Sequence, residues 1–183
     1  MTPHQLRLTA AALENGKIIA YPTEAVWGLG CNPLDAEAVY KLLNIKQRPV
    51  SKGLILIASD YSQLRPYLAD LSTAELAPAM QSWPGPFTWL IPAADNTPAW
   101  LTGQHDTIAV RITAHPVARA ICEHSGMAIV STSCNLAGQK PARSSLQARL
   151  RCPDASFYLH GDVNLQANPS VIQDLLSSRI VRA

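Results

Sequence analysis

The sequence predicts an α/β fold in which a single domain, residues 1–183, forms a twisted mixed parallel/antiparallel sheet flanked by helices. Three observations support this. Short apolar segments alternate with segments of helical periodicity, neither an internal repeat nor a linker-like stretch interrupts them, and 183 residues suit one domain. Because the alternation is imperfect after Ser82, we do not expect a purely parallel sheet.

Helices are predicted where apolar residues recur at helical spacing, and strands where short runs are apolar. The first helix ends at Asn15-Gly16, the second is capped by Asp35, and Ser72 with Glu75 forms a capping box for the fourth. The predicted helices are 3–14, 35 to 46–48, 60–69, 72–82, 115–125 and 144–151. The predicted strands are 17–21, 54–58, 87–91, 107–112 and 128–131, with weaker candidates at 157–159, 171–175 and 179–182. Residues 83–86 are predicted to form a rigid turn.

Composition excludes several classes of protein. Hydrophobic residues make up 48% of the chain and charged residues 15%, which argues against a disordered chain, a coiled coil or a highly charged nucleic-acid arm. The longest apolar runs are far shorter than the roughly 20 residues of a membrane span. The N-terminus does not resemble a signal peptide, so we expect a cytoplasmic protein with no membrane contact and with its four cysteines reduced.

The positive charge is unevenly distributed, although the net charge is only +2. Segments 38–59 and 124–153 each contain four lysine or arginine residues and not one acid. The two segments could converge on one anionic ligand. Chance spacing on a solvated face is the alternative.

Two segments place polar side chains just after a strand or a helix. Thr23 and Glu24 follow the first strand, although the same stretch can be interpreted as a simple turn in which Gly28 and Gly30 permit tight bends. Lys46 and Arg48 flank a helix end, and an extended backbone at this point would direct both cations to one side, where they would suit a phosphate chain. Cations that stabilise the helix dipole are the alternative.

A third segment follows the strand 128–131. Alternation places Ser131, Ser133 and Asn135 on one side, as a neutral hydrogen-bonding cradle. Ordinary turn and cap chemistry would account for the same residue types.

Three further residues also have simple structural interpretations. Arg111 interrupts an apolar strand, so it needs either an anionic partner or an exposed edge. Ser170 and Arg182 are most simply a turn residue and a solvated residue. The sequence contains no phosphate-loop or dinucleotide fingerprint, and its cations and hydroxyls come without a base, nucleophile or metal cluster. That pattern fits an enzyme that orients anionic reactants and stabilises a charged transition state.

The motifs, taken in order, resemble those of the YrdC/TsaC family, the threonylcarbamoyl-AMP synthases, in their short single-domain bacterial form. Residues 21–30 match Tyr-Pro-Thr-Glu-x-x-x-Gly-Leu-Gly, residues 46–48 match Lys-x-Arg, and residues 133–135 match Ser-x-Asn. Segments 46–58, 83–88, 100–103 and 109–112 also resemble the short form. The likeness covers nearly the whole chain.

The resemblance implies a fold and a reaction. The fold is YrdC-like, a twisted α/β sheet with a large basic concave face. The reaction, a nucleotidyl transfer, forms threonylcarbamoyl-AMP and diphosphate from L-threonine, bicarbonate or CO2, and ATP. Mg2+ accompanies the ATP, and a downstream threonylcarbamoyl-transferase complex uses the product to modify tRNA beside the anticodon.

The resemblance also implies residue roles by position. Lys46 and Arg48 are the expected catalytic residues, which neutralise the leaving diphosphate. ATP is expected to contact Lys46, Arg48, Lys52, Ser133, Asn135 and Arg182. Threonine is expected to contact Thr23, Arg111, Ser131 and Ser170. The chain departs from many relatives at Ala25, where they have a second threonine, and at Cys134, where they have a small residue.

The alternative is an RNA-binding or ribosome-maturation factor that uses the basic concave face without catalysis. The two acid-free segments suit it, although a net charge of +2 is modest for RNA binding.

Overall fold

The computed structural model describes residues 1–168 and 170–182, whose strands form one nine-stranded sheet in the order β7-β1-β2-β6-β3-β5-β4-β8-β9. The strands are β1 (Ile19–Pro22), β2 (Trp27–Gly30), β3 (Ile55–Ala58), β4 (Phe87–Pro92), β5 (Thr107–Ile112), β6 (Ile129–Ser133), β7 (Phe157–Tyr158), β8 (Val171–Asp174) and β9 (Ile180–Arg182). The β7–β1, β3–β5 and β4–β8 pairs are parallel, and the other pairs are antiparallel. The predicted mixed sheet is therefore confirmed.

Helices cover both faces of the sheet. They are α1 (Pro3–Glu14), α2 (Ala36–Lys46), α3 (Thr73–Ser82), α4 (Ala99–Thr102), α5 (Pro116–Ser125) and α6 (Ser145–Arg151). Helices α1 and α5 pack on each other and against β1 and β3, where they bury a core that includes Ile57 and Ile129. The larger core on the opposite face includes Leu42 of α2 and Leu56 of β3. Neighbouring residues of β3 thus serve different cores, as expected for a strand buried on both faces.

The interpretation of residues 21–30 as a turn was wrong for its second half. Residues Trp27 to Gly30 form β2, a fully buried strand between β1 and β6. The turn is confined to residues 23–26, where the Thr23 N–H and hydroxyl both donate to the Val26 carbonyl at 3.0 and 2.7 Å. Gly28 and Gly30 are strand residues, and the lack of a side chain at Gly30 permits the close approach of Val130 and Tyr21.

Three local predictions also differ from the structure. The predicted helix 60–69 consists of two short 3-10 turns, Tyr61–Gln63 and Arg65–Tyr67, because the Asp60 carboxylate caps the first at Ser62 and Pro66 has no N–H to continue a helix. The backbone after α2 is not extended, since Gln47 is left-handed with φ 50° and Val50–Lys52 form a 3-10 turn. The short helix α4 was not predicted.

Within residues 1–168 and 170–182, no helix combines the length and the apolar character needed to cross a membrane. The four cysteines are buried free thiols.

Candidate active site

A cavity of about 820 Å³ lies on the sheet face that α1 and α5 cover elsewhere. Register partners share a face of a sheet, and Ile55 is paired with both Ser131 and Ala109, while Ile57 is paired with Arg111 and Ile129. Ile57 and Ile129 belong to the core beneath α1 and α5, whereas Ser131 and Ala109 line the cavity. The cavity is thus the part of this sheet face that the two helices leave uncovered. Along strand β6, for example, Ile129 lies under the helices and Ser131, two residues later on the same face, lines the cavity.

Eight of the ten residues predicted from the sequence line this cavity. They are Thr23, Arg48, Lys52, Arg111, Ser131, Ser133, Ser170 and Arg182. The other two, Lys46 and Asn135, contact the backbone or side chain of Ser133. All ten therefore belong to one region of the molecule.

The Lys46 ammonium group is buried at the end of α2, where it holds the chain after β6. Its Nζ donates to the Ser133 carbonyl, to the Asn135 carbonyl at 2.9 Å and to the Asn135 Oδ1 at 3.3 Å. Burial lowers the pKa of Lys46 to about 8, and the nearby Arg48 acts in the same direction. Lys46 therefore fixes the loop after β6, and all three of its N–H groups already have acceptors within the chain.

The Asn135 amide is also fully hydrogen-bonded within the chain. Its Oδ1 accepts from the Ser133 hydroxyl at 2.6 Å, and its Nδ2 donates to the carbonyls of Leu136 and Gln139 at 2.9 and 2.7 Å. Because Lys46 supplies a second donor to Oδ1, a ligand contact by this amide would replace one of these bonds.

The end of α2 directs Arg48 towards the cavity. The helix ends at the left-handed Gln47, after which the Arg48 N–H donates to the Leu43 carbonyl at 3.0 Å. The Arg48 guanidinium then donates to the Gly53 carbonyl from Nε at 3.3 Å and from Nη2 at 3.0 Å. Burial lowers the pKa of Arg48. The Nε and Nη2 edge of the Arg48 guanidinium is thus bound to the protein backbone, and the residue lines the cavity.

Helix α4 and Gly103 pack closely against the loop of residues 48–53, which carries Arg48. A Cβ at Gly53 would lie 2.7 Å from the Thr102 carbonyl oxygen, and one at Gly103 would lie 2.5 Å from the Ser51 carbonyl oxygen. Both glycines have positive φ angles, 61° and 66°. Segment 100–103, one of those that resemble the short family form, therefore packs backbone to backbone with the loop that carries Arg48 and Lys52.

Arg111 is buried inside the sheet and faces Glu24. Its strand β5 lies between β3 and β4, so the exposed-edge alternative was wrong and the alternative with an anionic partner is confirmed. The Arg111 Nη1 lies 3.3 Å from the Glu24 Oε2. Among the described residues, the buried side-chain nitrogen and oxygen atoms without a hydrogen-bond partner are the Arg111 Nε, the Glu24 Oε2 and the Tyr21 hydroxyl. Unsatisfied buried polar atoms are rare, and two of these three belong to residues that line the cavity, Arg111 and Glu24, which points to a ligand site.

Arg182 and Ser170 close the other side of the cavity. The Arg182 guanidinium donates to the Ser170 carbonyl at 2.8 and 3.2 Å and to its hydroxyl at 3.1 Å, and that hydroxyl lies 2.9 Å from the Thr88 Oγ1. Ser170 therefore does more than shape a turn, and Arg182 is anchored rather than freely solvated. Partial burial and then the positive charges of Arg111 and Arg48 lower the pKa of Arg182. Arg182 therefore lies close enough to Arg111 and Arg48 for their positive charges to oppose its own.

Sequence reasoning assigned no role to several other lining residues. Asp174 and Arg179 line the cavity from β8 and the turn that follows it. The spacing of Ser170, Ile172 and Asp174 at every second position of a strand was the available signal. Among the described residues there is no group of three or more histidine, cysteine, aspartate or glutamate side chains that could hold a metal ion.

Comparison with known proteins identifies relatives over the whole chain. The family model Sua5_yciO_yrdC, described as "Telomere recombination", matches residues 11–183. A threonylcarbamoyl-AMP synthase from Alkalilimnicola ehrlichii is 52% identical over 183 residues, which cover 98% of this chain and 95% of that protein. A protein of the same name from Methylococcus capsulatus is 49% identical, with coverage of 97% and 96%.

Solved structures share the fold. The crystal structure of P. abyssi Sua5 complexed with L-threonine superimposes with a TM-score of 0.88 at 30% identity, over 95% of this chain and 52% of that one. E. coli YciO superimposes with a TM-score of 0.87 at 24% identity, over 99% and 89%, and supports the fold alone. The resemblance drawn from the motifs is confirmed, and this chain belongs to the Sua5/YciO/YrdC family.

Proposed function

We propose that this chain is a threonylcarbamoyl-AMP synthase, which forms threonylcarbamoyl-AMP and diphosphate from L-threonine, bicarbonate or CO2, and ATP. Relatives of that name are about half identical to it over almost their full length. One observation in the site carries the proposal: guanidinium groups from three separate segments converge on one cavity, and the most buried of them, that of Arg111, has an unpartnered Nε.

Arg111 is the proposed partner of the threonine carboxylate. It is 7% exposed, and its Glu24 contact at 3.3 Å is an ion pair without hydrogen-bond geometry. A guanidinium with free N–H groups suits a carboxylate, which can accept two parallel hydrogen bonds. The hydroxyl groups of Thr23, Ser131 and Ser170 surround the same cavity and are proposed to complete the threonine site.

Arg48, Lys52 and Arg182 are proposed to bind the ATP phosphates. Mg2+ would enter with the nucleotide, because cations around the cavity disfavour a bare metal ion, whereas phosphate oxygens supply the ligands it prefers. When bound, the ion supplies further neutralisation of phosphate charge. Lys46 and Asn135 are proposed to shape the nucleotide site by fixing the backbone on either side of Cys134.

The proposed chemistry needs positioning and charge neutralisation more than a protein base. The threonine amine adds to CO2 with loss of a proton to solvent, or to bicarbonate with loss of water, and gives a carbamate. A carbamate oxygen then attacks the α-phosphorus of ATP in line. The bond from that phosphorus to the bridging oxygen breaks, and diphosphate leaves with the electron pair. Arg48 would stabilise the charge that develops on the leaving group.

We further propose that the product passes to a downstream transferase that modifies tRNA in the cytoplasm. This chain is then a nucleotidyltransferase and need not hold the tRNA itself. The alternative is an RNA-binding or ribosome-maturation factor that uses a basic concave face without catalysis.

Diphosphate release tests the proposal. Wild-type protein with ATP and Mg2+ should release diphosphate only when threonine and bicarbonate are both present. Arg48→Ala should reduce kcat by about 100-fold, since loss of one charge contact to a transition state costs about 3 kcal/mol. Arg119→Ala is the matched control, because Arg119 is an exposed partner of Glu123 on α5. Absence of release together with tight, salt-sensitive RNA binding would favour the RNA-binding alternative instead.

A further inference from the structure

Glu24 connects three segments of the chain at the wall of the cavity. Its Oε1 accepts hydrogen bonds from the Thr113 hydroxyl at 2.7 Å and from the Ala114 N–H at 3.2 Å. Its backbone carbonyl accepts from the Asn164 N–H at 2.9 Å. These bonds fix the carboxylate relative to the end of β5, the strand that carries Arg111.

The remaining carboxylate oxygen faces Arg111. Oε2 lies 3.3 Å from the Arg111 Nη1 and, like the Arg111 Nε, it lacks a hydrogen-bond partner within the described residues. Within the described residues, the Arg111 guanidinium is therefore held by its ion pair with Glu24 at 3.3 Å and not by a hydrogen bond. Without Glu24, a charge that is nine-tenths buried would lose the group that sets its orientation.

The protonation state of Glu24 agrees with this arrangement. Burial acts to raise the pKa of the carboxyl group, but the Arg111 charge and the Thr113 hydrogen bond outweigh it, and the pKa lies below its usual value. The carboxyl group is therefore ionised at neutral pH. Since it is held by Arg111, it is a poor base for the threonine ammonium group.

We propose that Glu24 is a positioning residue, which holds the Arg111 guanidinium in the orientation that receives the carboxylate of the amino-acid substrate. The inference rests on the proposed function and deepens it. Glu24 acts through Arg111, whose N–H groups not used by Glu24 are left for the substrate. Thr113 contributes to the same positioning, because its hydroxyl group donates a hydrogen bond to the Glu24 Oε1.

Threonine binding tests the role of Glu24. Glu24→Gln keeps the shape and an acceptor for Thr113 but removes the charge, so it should raise the Kd for L-threonine, measured by calorimetry, about tenfold or more. The KM for ATP should change less than about twofold. Thr113→Val should raise the threonine Kd by a smaller factor. Glu123→Gln, which removes an exposed carboxylate paired with Arg119, should leave both constants unchanged.

A double-mutant cycle separates positioning from a general structural effect. In an Arg111→Gln background, Glu24→Gln should change the threonine Kd less than about twofold, because the residue through which it acts is gone. Equal losses for threonine and ATP in Glu24→Gln, or additive losses in the cycle, would overturn the inference. Thr113→Val keeps the test valid if Glu24→Gln folds poorly, because an unchanged threonine Kd in that variant would also count against it.

The two proposals fail in different ways. Wild-type protein that releases diphosphate with threonine, alongside unaffected Glu24 and Thr113 variants, would overturn the inference and leave the proposed function standing. Wild-type protein that neither binds nor uses threonine would overturn both.

Discussion

Replacing Gly30 by alanine tests how closely β2 packs between its neighbours. A Cβ at this position would lie 2.7 Å from the Val130 carbonyl oxygen and 2.9 Å from the Tyr21 Cε1. Both contacts are several tenths of an ångström too short, and both neighbours are fully buried, so the sheet must shift to accept a single methyl group. Overpacking of this kind typically costs about 1–3 kcal/mol.

Gly28, two residues earlier on the same strand, provides the matched control. A Cβ there would lie 3.4 Å from the Thr23 Cγ2 and 3.5 Å from the Thr132 carbonyl oxygen, which are ordinary contacts. Gly28→Ala should therefore alter the free energy of unfolding by less than about 0.5 kcal/mol. It should still reduce activity, because Gly28 lines the cavity.

Thermal and urea unfolding distinguish the two variants. For a chain of this length, a loss of about 1–3 kcal/mol lowers Tm by roughly 2–12 °C. Gly30→Ala should show that loss and Gly28→Ala should not. Equal Tm values for the two variants would refute the packing argument, because they would mean that both glycines serve the same backbone role.

Two further predictions concern the end of α2. Gln47→Gly should stabilise the protein by about 0.5–1 kcal/mol in urea unfolding, because Gln47 has a φ of 50° and glycine adopts that conformation without strain; lower stability would contradict the geometry. The second prediction concerns the buried charge of Lys46, which lowers the free energy of unfolding at pH values below the folded-state pKa of about 8. Between pH 8 and the unfolded-state pKa of 10.5, only the unfolded chain still binds the proton, so the free energy of unfolding rises with pH in that window. The free energy of unfolding of wild type minus that of Lys46→Met should therefore increase by about 3 kcal/mol between pH 8 and 10.5, and parallel pH curves would show that the lysine charge is not destabilised by burial.

Local sequence patterns predicted most of the elements, because apolar periodicity and caps are local properties. The capping box of Ser72 and Glu75 is present, with Oε2 of the glutamate accepting from the Ser72 N–H at 2.8 Å. Strand β2 was missed because two of its four residues are glycine, which is depleted in strands. What makes it a strand is its pairing with β1 and β6, and that pairing exists only in the assembled sheet.

The same distinction applies to the site. Alternation correctly grouped Ser131 with Ser133, since both line the cavity from one strand. The partner of Arg111 could not be predicted, because Glu24 lies 87 residues away and the local sequence around either residue does not indicate a contact with the other. Lys46 and Asn135 share this property: their mutual hydrogen bond joins residues 89 positions apart.

The cavity gathers three guanidinium groups from residues that are far apart in the sequence. Arg48 follows a helix, Arg111 lies in a central strand and Arg182 in an edge strand, so the three guanidinium groups meet only after the whole sheet has formed. Partial burial first, and then repulsion by Arg111 and Arg48, lowers the pKa of Arg182. An anion in the cavity would relieve that repulsion, and any ligand that binds only the folded chain stabilises it by mass action. Repulsion that disfavours the folded chain without a ligand would therefore contribute to the affinity for a polyanionic substrate.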